Sequence, residues 1–422
     1  MIAETKENKL KVLNHLAYES FKKKHYPEAI IYFKRYLAID DTNASIYNFL
    51  GYVYKKFSKF QNLDKQIGYY EKALEISPDY IQALRNLALT YPHVGRYEDS
   101  IKCFHKLFEL GPVADDYVAY GCLMLRLKNF DEGLKNYEYR FQKVVTPVEY
   151  PKFNEPKWEG QKIPDKTLLV NFEQGYGDSL QFCRYLPLLK NYADKVIFKV
   201  QNELVDLIKI NFPEIEVVGS SVAYKDLSFD YHISLMSIPY ALKANFENIP
   251  LTEGYIKADK TKAKEYKKEF FDNDKLKIGI SWNGSRMGNV ARNINLEYFY
   301  PLAKMENVQV YSFQKGFGSE QMNSLPSGLK IINLGKNFND FFDTAAAMAN
   351  LDLFVTSDNS LLNLAGTMGV KTFLLLNKHS EWRWFLEDEV NPWYSNVKIL
   401  KKENERDSWR LLMHRVLALL EK

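Results

Sequence analysis

Residues Leu168–Lys190 read LLVNFEQGYGDSLQFCRYLPLLK: a short apolar run, a break at Gly175-Tyr176-Gly177-Asp178, then apolar residues at helical spacing. The order is strand, glycine turn, helix. Such a unit delivers backbone N–H groups and one carboxylate to the carboxyl edge of a parallel sheet, where α/β proteins bind ligands. Gly175 and Gly177 are expected to permit positive φ and the close approach of a ligand. Asp178 stands at the helix start with two readings open: a helix N-cap, or a general base that takes a proton from a hydroxyl at the cleft.

Strand and helix keep alternating on the carboxyl side of this turn. Strands are expected at Thr167–Phe172, Lys195–Val200, Glu216–Val218 and Tyr231–Met236, with helices at Asp178–Tyr192 and Glu203–Ile210. That spacing is the βαβ rhythm of a parallel sheet, and it defines a first Rossmann-like lobe over residues 167–256. His232 falls near the same edge, as a core residue or a cleft residue.

A second copy of the architecture occupies residues 274–422. The strand Lys277–Trp282 ends in Asn283-Gly284-Ser285-Arg286, followed by a loop containing Arg292; Val308–Phe313 ends in Gln314-Lys315-Gly316. Leu351–Thr356 ends in Ser357-Asp358-Asn359-Ser360 and passes into a helix over Leu361–Met368. These strand ends bring two arginines, a lysine and a helix N-terminus to one edge, the chemistry a diphosphate needs. Asn359 and Ser360 are expected to meet phosphate through their backbone, and Asp358 to cap the helix or hold a sugar hydroxyl. Trp282, Gly284 and Gln314 are assigned to the same donor site by position. Trp382, Trp384, Trp393 and Tyr394 serve equally well as a wall for a ring or as packing for the last helix, Ser408–Leu420.

Ahead of both lobes, Ala17, Gly51, Ala88 and Gly121 recur 34, 37 and 33 residues apart, close to the period of about 34 of tetratricopeptide repeats. A small residue lets two antiparallel helices approach, and a bulky one on the second helix fills the space between pairs. The extra residues of the second repeat are placed in the turn around Ser58–Asp64. The arm, residues 1–140, should present a groove for an extended peptide or helix. A regular asparagine ladder along it is not expected, since Asn86 has His15, Phe49 and Ala119 at its equivalents. Pro147, Pro151, Pro156 and Pro164 mark residues 141–166 as a linker.

Composition narrows the function classes. The 422 residues carry 57 basic and 53 acidic side chains, a formal +4 without a basic patch, which argues against a nucleic-acid partner. Cys103, Cys122 and Cys183 lie at no metal-ligand spacing and point to reduced thiols. The charged start MIAETKENKLKVL is no secretory signal, and no apolar run approaches the roughly 20 residues of a membrane span, so a cytoplasmic protein is expected, not an integral membrane one.

The run PKWEGQKIPDKTLLVNFEQGYGDSLQFCRYLPLL, with FDYHISLMSIPYAL, ISWNGS, YSFQKG, DFFDTAAAMANLDLFVTSDNSLLNLAGTMG and EWRWFLEDEVNPWY, resembles bacterial proteins that join tetratricopeptide repeats to a heptosyltransferase-like GT-B glycosyltransferase domain. The resemblance covers essentially the whole chain. It implies an α-solenoid followed by two Rossmann-like lobes, with Asp178 as catalytic base and Lys315, Asp358, Asn359 and Ser360 at the donor phosphates. Two positions depart from the family's pattern: Asn359 replaces a threonine and Asn363 a histidine. The arginine-rich stretch after the tryptophan is reduced to Arg286 and Arg292, with Asn293 where a serine is common.

The expectation is a glycosyltransferase that needs neither metal nor cofactor, with a nucleotide sugar as co-substrate. The triplet Asp272-Asn273-Asp274 precedes a strand and so sits at the wrong edge for a catalytic cation. A protein acceptor such as flagellin, recruited by the repeat arm, is the first reading. A non-catalytic repeat scaffold and a transferase for a surface saccharide are the alternatives.

Overall fold

Seven helices open the chain: α1 (Lys6–Lys22), α2 (Tyr26–Leu37), α3 (Ala44–Phe57), α4 (Leu63–Ile76), α5 (Ile81–Thr90), α6 (Tyr97–Leu110) and α7 (Ala114–Arg126). They belong to a computed structural model that describes residues 5–58, 60–143, 148–252, 254–284, 292–386, 391–404 and 407–421. Helices start where a side chain can take the orphan amides: Thr5 accepts from Asn8 N, and Asn43 from Ser45 N and Ile46 N. The small-to-large rule is visible at Gly51 of α3, where a Cβ would stand 2.6 Å from the Tyr70 ring of α4. Ala17, Ala29, Ala73 and Ala88 are fully buried at equivalent seams. Asn86 donates to Asn48 Oδ1 at 2.9 Å, a polar contact between α5 and α3.

The chain forms two compact units: residues 1–123 with 142–147, and residues 124–141 with 148–422. The second begins with the end of α7 and with α8 (Phe130–Tyr137). Phe130 joins an aromatic cluster with Phe246, Phe385 and Trp393. Behind α8, Arg140 is buried and fully engaged. It donates to Glu173 (2.9 and 3.0 Å), Glu138 (2.7 Å), the Tyr137 carbonyl (3.1 Å) and Ser237 (2.7 Å). Burial pushes the Glu173 carboxyl up, against the Arg140 charge.

The first lobe holds β1 (Ile163–Asn171), α9 (Tyr176–Phe182), β2 (Ala193–Val200), α10 (Val205–Asn211), β3 (Glu216–Gly219), β4 (Tyr231–Ser234) and α11 (Ile238–Ala241). After α12 (Lys260–Phe270) the second comprises β5 (Leu276–Ser281), α13 (Tyr300–Ala303), β6 (Val308–Ser312), β7 (Ile331–Asn333), α14 (Phe341–Met348), β8 (Leu353–Ser357), α15 (Ser360–Met368), β9 (Thr372–Leu376), β10 (Val397–Lys401) and α16 (Trp409–Leu420). The sheets run β3-β2-β1-β4 and β7-β6-β5-β8-β9-β10, all parallel. Both follow the doubly wound order, with switch points between β1 and β4 and between β5 and β8. This is the tandem arrangement of a GT-B fold.

The helix expected to run to Tyr192 stops at Phe182. Residues Cys183–Asn191 form a 3-10 helix, because Pro187 has no N–H to donate and its ring crowds the preceding turn.

All six tryptophans lie in the second unit, so their fluorescence follows its unfolding. Arg140→Ala should destabilise that unit by about 3–5 kcal/mol by stranding the buried Glu173. The pair replacement R140M/E173L should recover most of the loss. Equal urea midpoints for R140A and the wild type would remove Arg140 from the unit's stability.

Candidate functional site

Asp178 occupies the third position of α9, and the helix cap is Gly175. Its Oδ2 reaches back to accept from Gly175 N at 3.0 Å, which satisfies an orphan amide, so the N-cap reading is corrected to the reciprocal role of a third-position acid. The expected positive φ at the two glycines is also corrected. Gly175 has φ −90°, and the left-handed residue of the turn is Gln174, at φ 60°. Gly177 does permit a close approach, but of protein. A Cβ there would stand 2.8 Å from Asn363 Nδ2 and 3.5 Å from Ser360 Cα, so α9 packs directly on α15.

The second oxygen of Asp178 faces the other lobe. Its Oδ1 accepts from Arg383 Nη2 at 2.5 Å, with Asp178 18% and Arg383 12% exposed. Arg383 lies in the one-turn helix Trp382–Trp384, donates to Glu381 at 3.2 Å, and has its guanidinium 4.7 Å from the Trp382 ring centre. Burial works against its charge, but Asp178, then Tyr137 and Glu381, hold its pKa above the ordinary value. Its carbonyl accepts from Trp393 Nε1 at 2.9 Å. Phe385, two residues on, has φ 49°, a strained conformation for a bulky residue that costs about 1–3 kcal/mol and survives because Phe130, Phe246 and Trp393 pack around it. Arg383 was not singled out in the sequence; its one local mark is a lone cation between two tryptophans.

Asp358 follows β8 at the switch point and is half-buried. Burial first, then the Glu381 charge, push its carboxyl up to about 6, against the pull of Arg292 and Arg383. Arg292 packs over Gly284, its guanidinium 3.3 Å from where a Cβ would stand, and its Nε is buried without an acceptor. Asp178, Asp358, Glu381, Arg292 and Arg383 thus form one cluster where the carboxyl edges of both sheets meet. Arg286 lies outside the described residues.

Other expected donor residues are spent on structure. Gln314 accepts from Trp282 N and Asn283 N (both 3.0 Å) and donates to the Asn283 and Phe317 carbonyls (3.1 and 2.8 Å), clamping the ends of β5 and β6 together. Trp282 is fully buried, with its indole on the Gly318 carbonyl. Asn359 caps α15 itself, accepting from Leu361 N and Leu362 N (3.0 and 3.2 Å) and donating to Ser281 and Thr356 (both 3.0 Å). A phosphate at this helix start would therefore meet the Ser360 amide rather than a row of N–H groups. A strand-end position does not say which way its side chain turns, which is why Trp282 and Gln314 are expected at the donor site from sequence.

Lys315 is exposed, and its ammonium donates to the Phe338 and Asn339 carbonyls at 2.6 and 3.1 Å, just ahead of α14. Phe341, which opens α14, meets the ring of Tyr176 at 5.0 Å, two residues from Asp178. Lys315 thus borders the same seam between lobes. Asn363 accepts from Tyr394 OH at 2.9 Å and so supports that seam. Trp382, Trp384, Trp393 and Tyr394 are buried in packing, with Trp382 also beneath Arg383. His232 lies away from the cluster, its Nδ1 3.0 Å from Tyr150 OH and its ring against Phe153, and burial lowers its pKa. Asn273, of the acidic triplet, bonds Tyr311 OH ahead of β5. Among the described residues no group of three or more His, Cys, Asp or Glu is placed to hold a metal ion. Two surface hollows, one beside His414 and one beside Asn211, lie away from the cluster.

A tetratricopeptide-repeat family model matches residues 69–102, from α4 into α6. The chain is 26% identical over 429 residues to protein FlbA of Caulobacter vibrioides, across 93% of this chain and 70% of FlbA. Among solved structures it is similar to a family 9 glycosyl transferase from Veillonella parvula (14% identity, TM-score 0.49, 63% of this chain and 100% of that one). It is also similar to ADP-heptose LPS heptosyltransferase II of E. coli (14% identity, TM-score 0.44, 60% of this chain and 99% of that one). The chain joins tetratricopeptide repeats to a two-sheet α/β domain. No described helix is long and apolar enough to cross a membrane.

A carboxyl whose pKa is raised on folding costs stability above its unfolded value and costs none below it. For Asp358 the loss should develop as pH rises from about 3.8 through about 6. Asp358→Asn should therefore melt higher than the wild type at about pH 7.5, and the gap should close towards about pH 4. A gap independent of pH would assign the effect to something other than this carboxyl.

Proposed function

We propose that this protein is a nucleotide-sugar-dependent glycosyltransferase. The observation that supports the reading best is the placement of Asp178 against a buried arginine where the switch points of two Rossmann-order sheets converge. Asp178 would take the acceptor hydroxyl's proton while the acceptor oxygen bonds to the anomeric carbon. The carbon–oxygen bond to the diphosphate would break with its electron pair leaving on the phosphate. Arg383 and Arg292 would stabilise that charge, as cations held in a largely closed cluster where such stabilisation is worth most, and Lys315, exposed on the Phe338 and Asn339 carbonyls, would reach the donor only by leaving them. In this mechanism no step is assigned to a metal or a cofactor.

The acceptor in this reading is a polypeptide such as flagellin, recruited by the repeat arm in the cytoplasm, because grooves of stacked helix pairs take extended or helical segments. A second reading, a repeat scaffold whose α/β domain is not catalytic, draws on Asn359 and Gln314, whose side chains are saturated by protein partners.

Asp178→Ala should abolish transfer while nucleotide binding persists, since the other donor contacts stay in place. Intact-mass comparison of candidate acceptors from cells with and without the protein should show a hexose-scale or heptose-scale increment that D178A fails to restore. An increment restored by D178A would take Asp178 out of the chemistry. If no nucleotide or nucleotide sugar raises the melting temperature, the scaffold reading stands instead.

A further inference from the structure

We propose that Arg383 is a latch on Asp178: its guanidinium holds the carboxylate until the diphosphate of the donor competes for it and releases Asp178. The inference rests on the transferase reading and adds to it an order of events, donor before proton transfer. It makes Arg383 a donor-binding group and a positioning residue for the base.

Three observations carry it. The first is how Asp178 is held. One oxygen is fixed within its own helix by Gly175 N, and the other only across the seam by Arg383. Losing Arg383 would free one oxygen and leave the carboxylate anchored through the other. With Oδ2 turned to Gly175 N and Oδ1 to Arg383 Nη2, neither oxygen is directed at an acceptor hydroxyl, so a base held this way has to be let go before it can act.

The second is unmet donor capacity. Arg383 Nε and Arg292 Nε are both buried without an acceptor, and a buried unsatisfied donor costs about 1–3 kcal/mol, more on a charged group. Two such donors in one charge cluster call for a ligand with several acceptor oxygens. A diphosphate has them, whereas a neutral sugar carries no charge to pair with two guanidinium groups.

The third is the charge balance. Asp178, Asp358 and Glu381 face Arg292 and Arg383, so the cluster has no cation to spare. An arriving anion cannot simply add; it has to take the place of a carboxylate at a guanidinium. Glu381 is held at 3.2 Å and is about half exposed, while Asp178 is held at 2.5 Å and is mostly buried. Asp178 is therefore the partner whose release changes the chemistry. The Arg383 backbone stays put during the exchange, because Trp393 holds its carbonyl and Trp382 lies beneath its guanidinium.

The test uses the full chain and isothermal titration with inorganic pyrophosphate, ADP, GDP, UDP and CDP in turn. If Asp178 and the diphosphate compete for Arg383, Asp178→Asn should tighten binding of the preferred probe by about fivefold or more, within the usual span of site coupling. Arg383→Gln should weaken it by a similar factor, and D178N/R383Q should match R383Q alone. Opposite signs with no additivity are what a merely structural ion pair would not produce. Arg383→Lys, which keeps the charge, serves if R383Q melts early, and should lie between R383Q and the wild type. Equal affinity in D178N and the wild type, with transfer intact in the wild type, overturns the latch and leaves the transferase reading standing. Failure of every probe to bind both the wild type and D178N overturns the two together.

Discussion

Burying the Arg184 guanidinium between the lobes constrains the rest of the α/β domain. Among the described residues it has no carboxylate partner. Its donors are met by the Gln181 carbonyl (2.7 Å), the Trp393 carbonyl (2.8 Å) and Tyr255 OH (3.0 Å), with the rings of Tyr255, Trp393 and Tyr394 around it. A charge taken out of water tolerates few arrangements of its neighbours, and moving any of these would leave a cationic donor stranded. Arg184 lies in the 3-10 turn that continues α9, and Trp393 in the segment that carries Arg383. The chain of contacts closes on itself: Arg184 to Trp393, Trp393 to Arg383, Arg383 to Asp178, and Asp178 back to Arg184 through one helical stretch. Fixing the first contact places the last.

That loop explains why α9 and α15 approach so closely. The absence of a side chain at Gly177 lets the two helix starts meet, and Tyr394 fills the space against Gly366 while bonding Asn363. Two helix N-termini facing each other would present like partial charges. Asp178 and Asn359 answer this by taking amides at their own helix starts. What remains unmet among the arginines of the cluster is donor capacity, at the buried Nε groups of Arg292 and Arg383.

A different balance operates in the repeat arm and in the segment behind α8. In the arm, the seams are made of alanines and glycine under aromatic rings, so burial of apolar surface carries the packing and few polar groups need partners. Behind α8, Arg140 needs five donors satisfied and finds Glu138, Glu173, Ser237 and a carbonyl. The polar network ties residues 138–140 to the first lobe more tightly than the prolines after them would suggest.

Much of this was legible in the amino-acid order. Apolar runs bounded by glycine and asparagine marked the strands at both switch points, and the 34-residue recurrence of small residues marked the repeats, because local periodicity records which face of an element is buried. Asp178 stood out because a carboxylate just after a glycine turn has few places to go. The early end of α9 was encoded in Pro187 but outweighed by the apolar spacing around it. What no local pattern held was the use of each side chain at a strand end: Gln314 and Asn359 turn inward to satisfy buried backbone and hydroxyl groups, and Trp282 turns into the core. Arg383 was invisible as a partner of Asp178, since 205 residues separate them and only the packing of one lobe on the other brings them together. Sequence alone determined the repeat period, the strands that flank the switch points and the parallel βαβ pattern, through hydrophobic period and backbone preference, while the strand order within each sheet came from the tertiary structure. The tertiary structure decided which charges meet, because a buried ion pair is set by where two distant segments come out of water together.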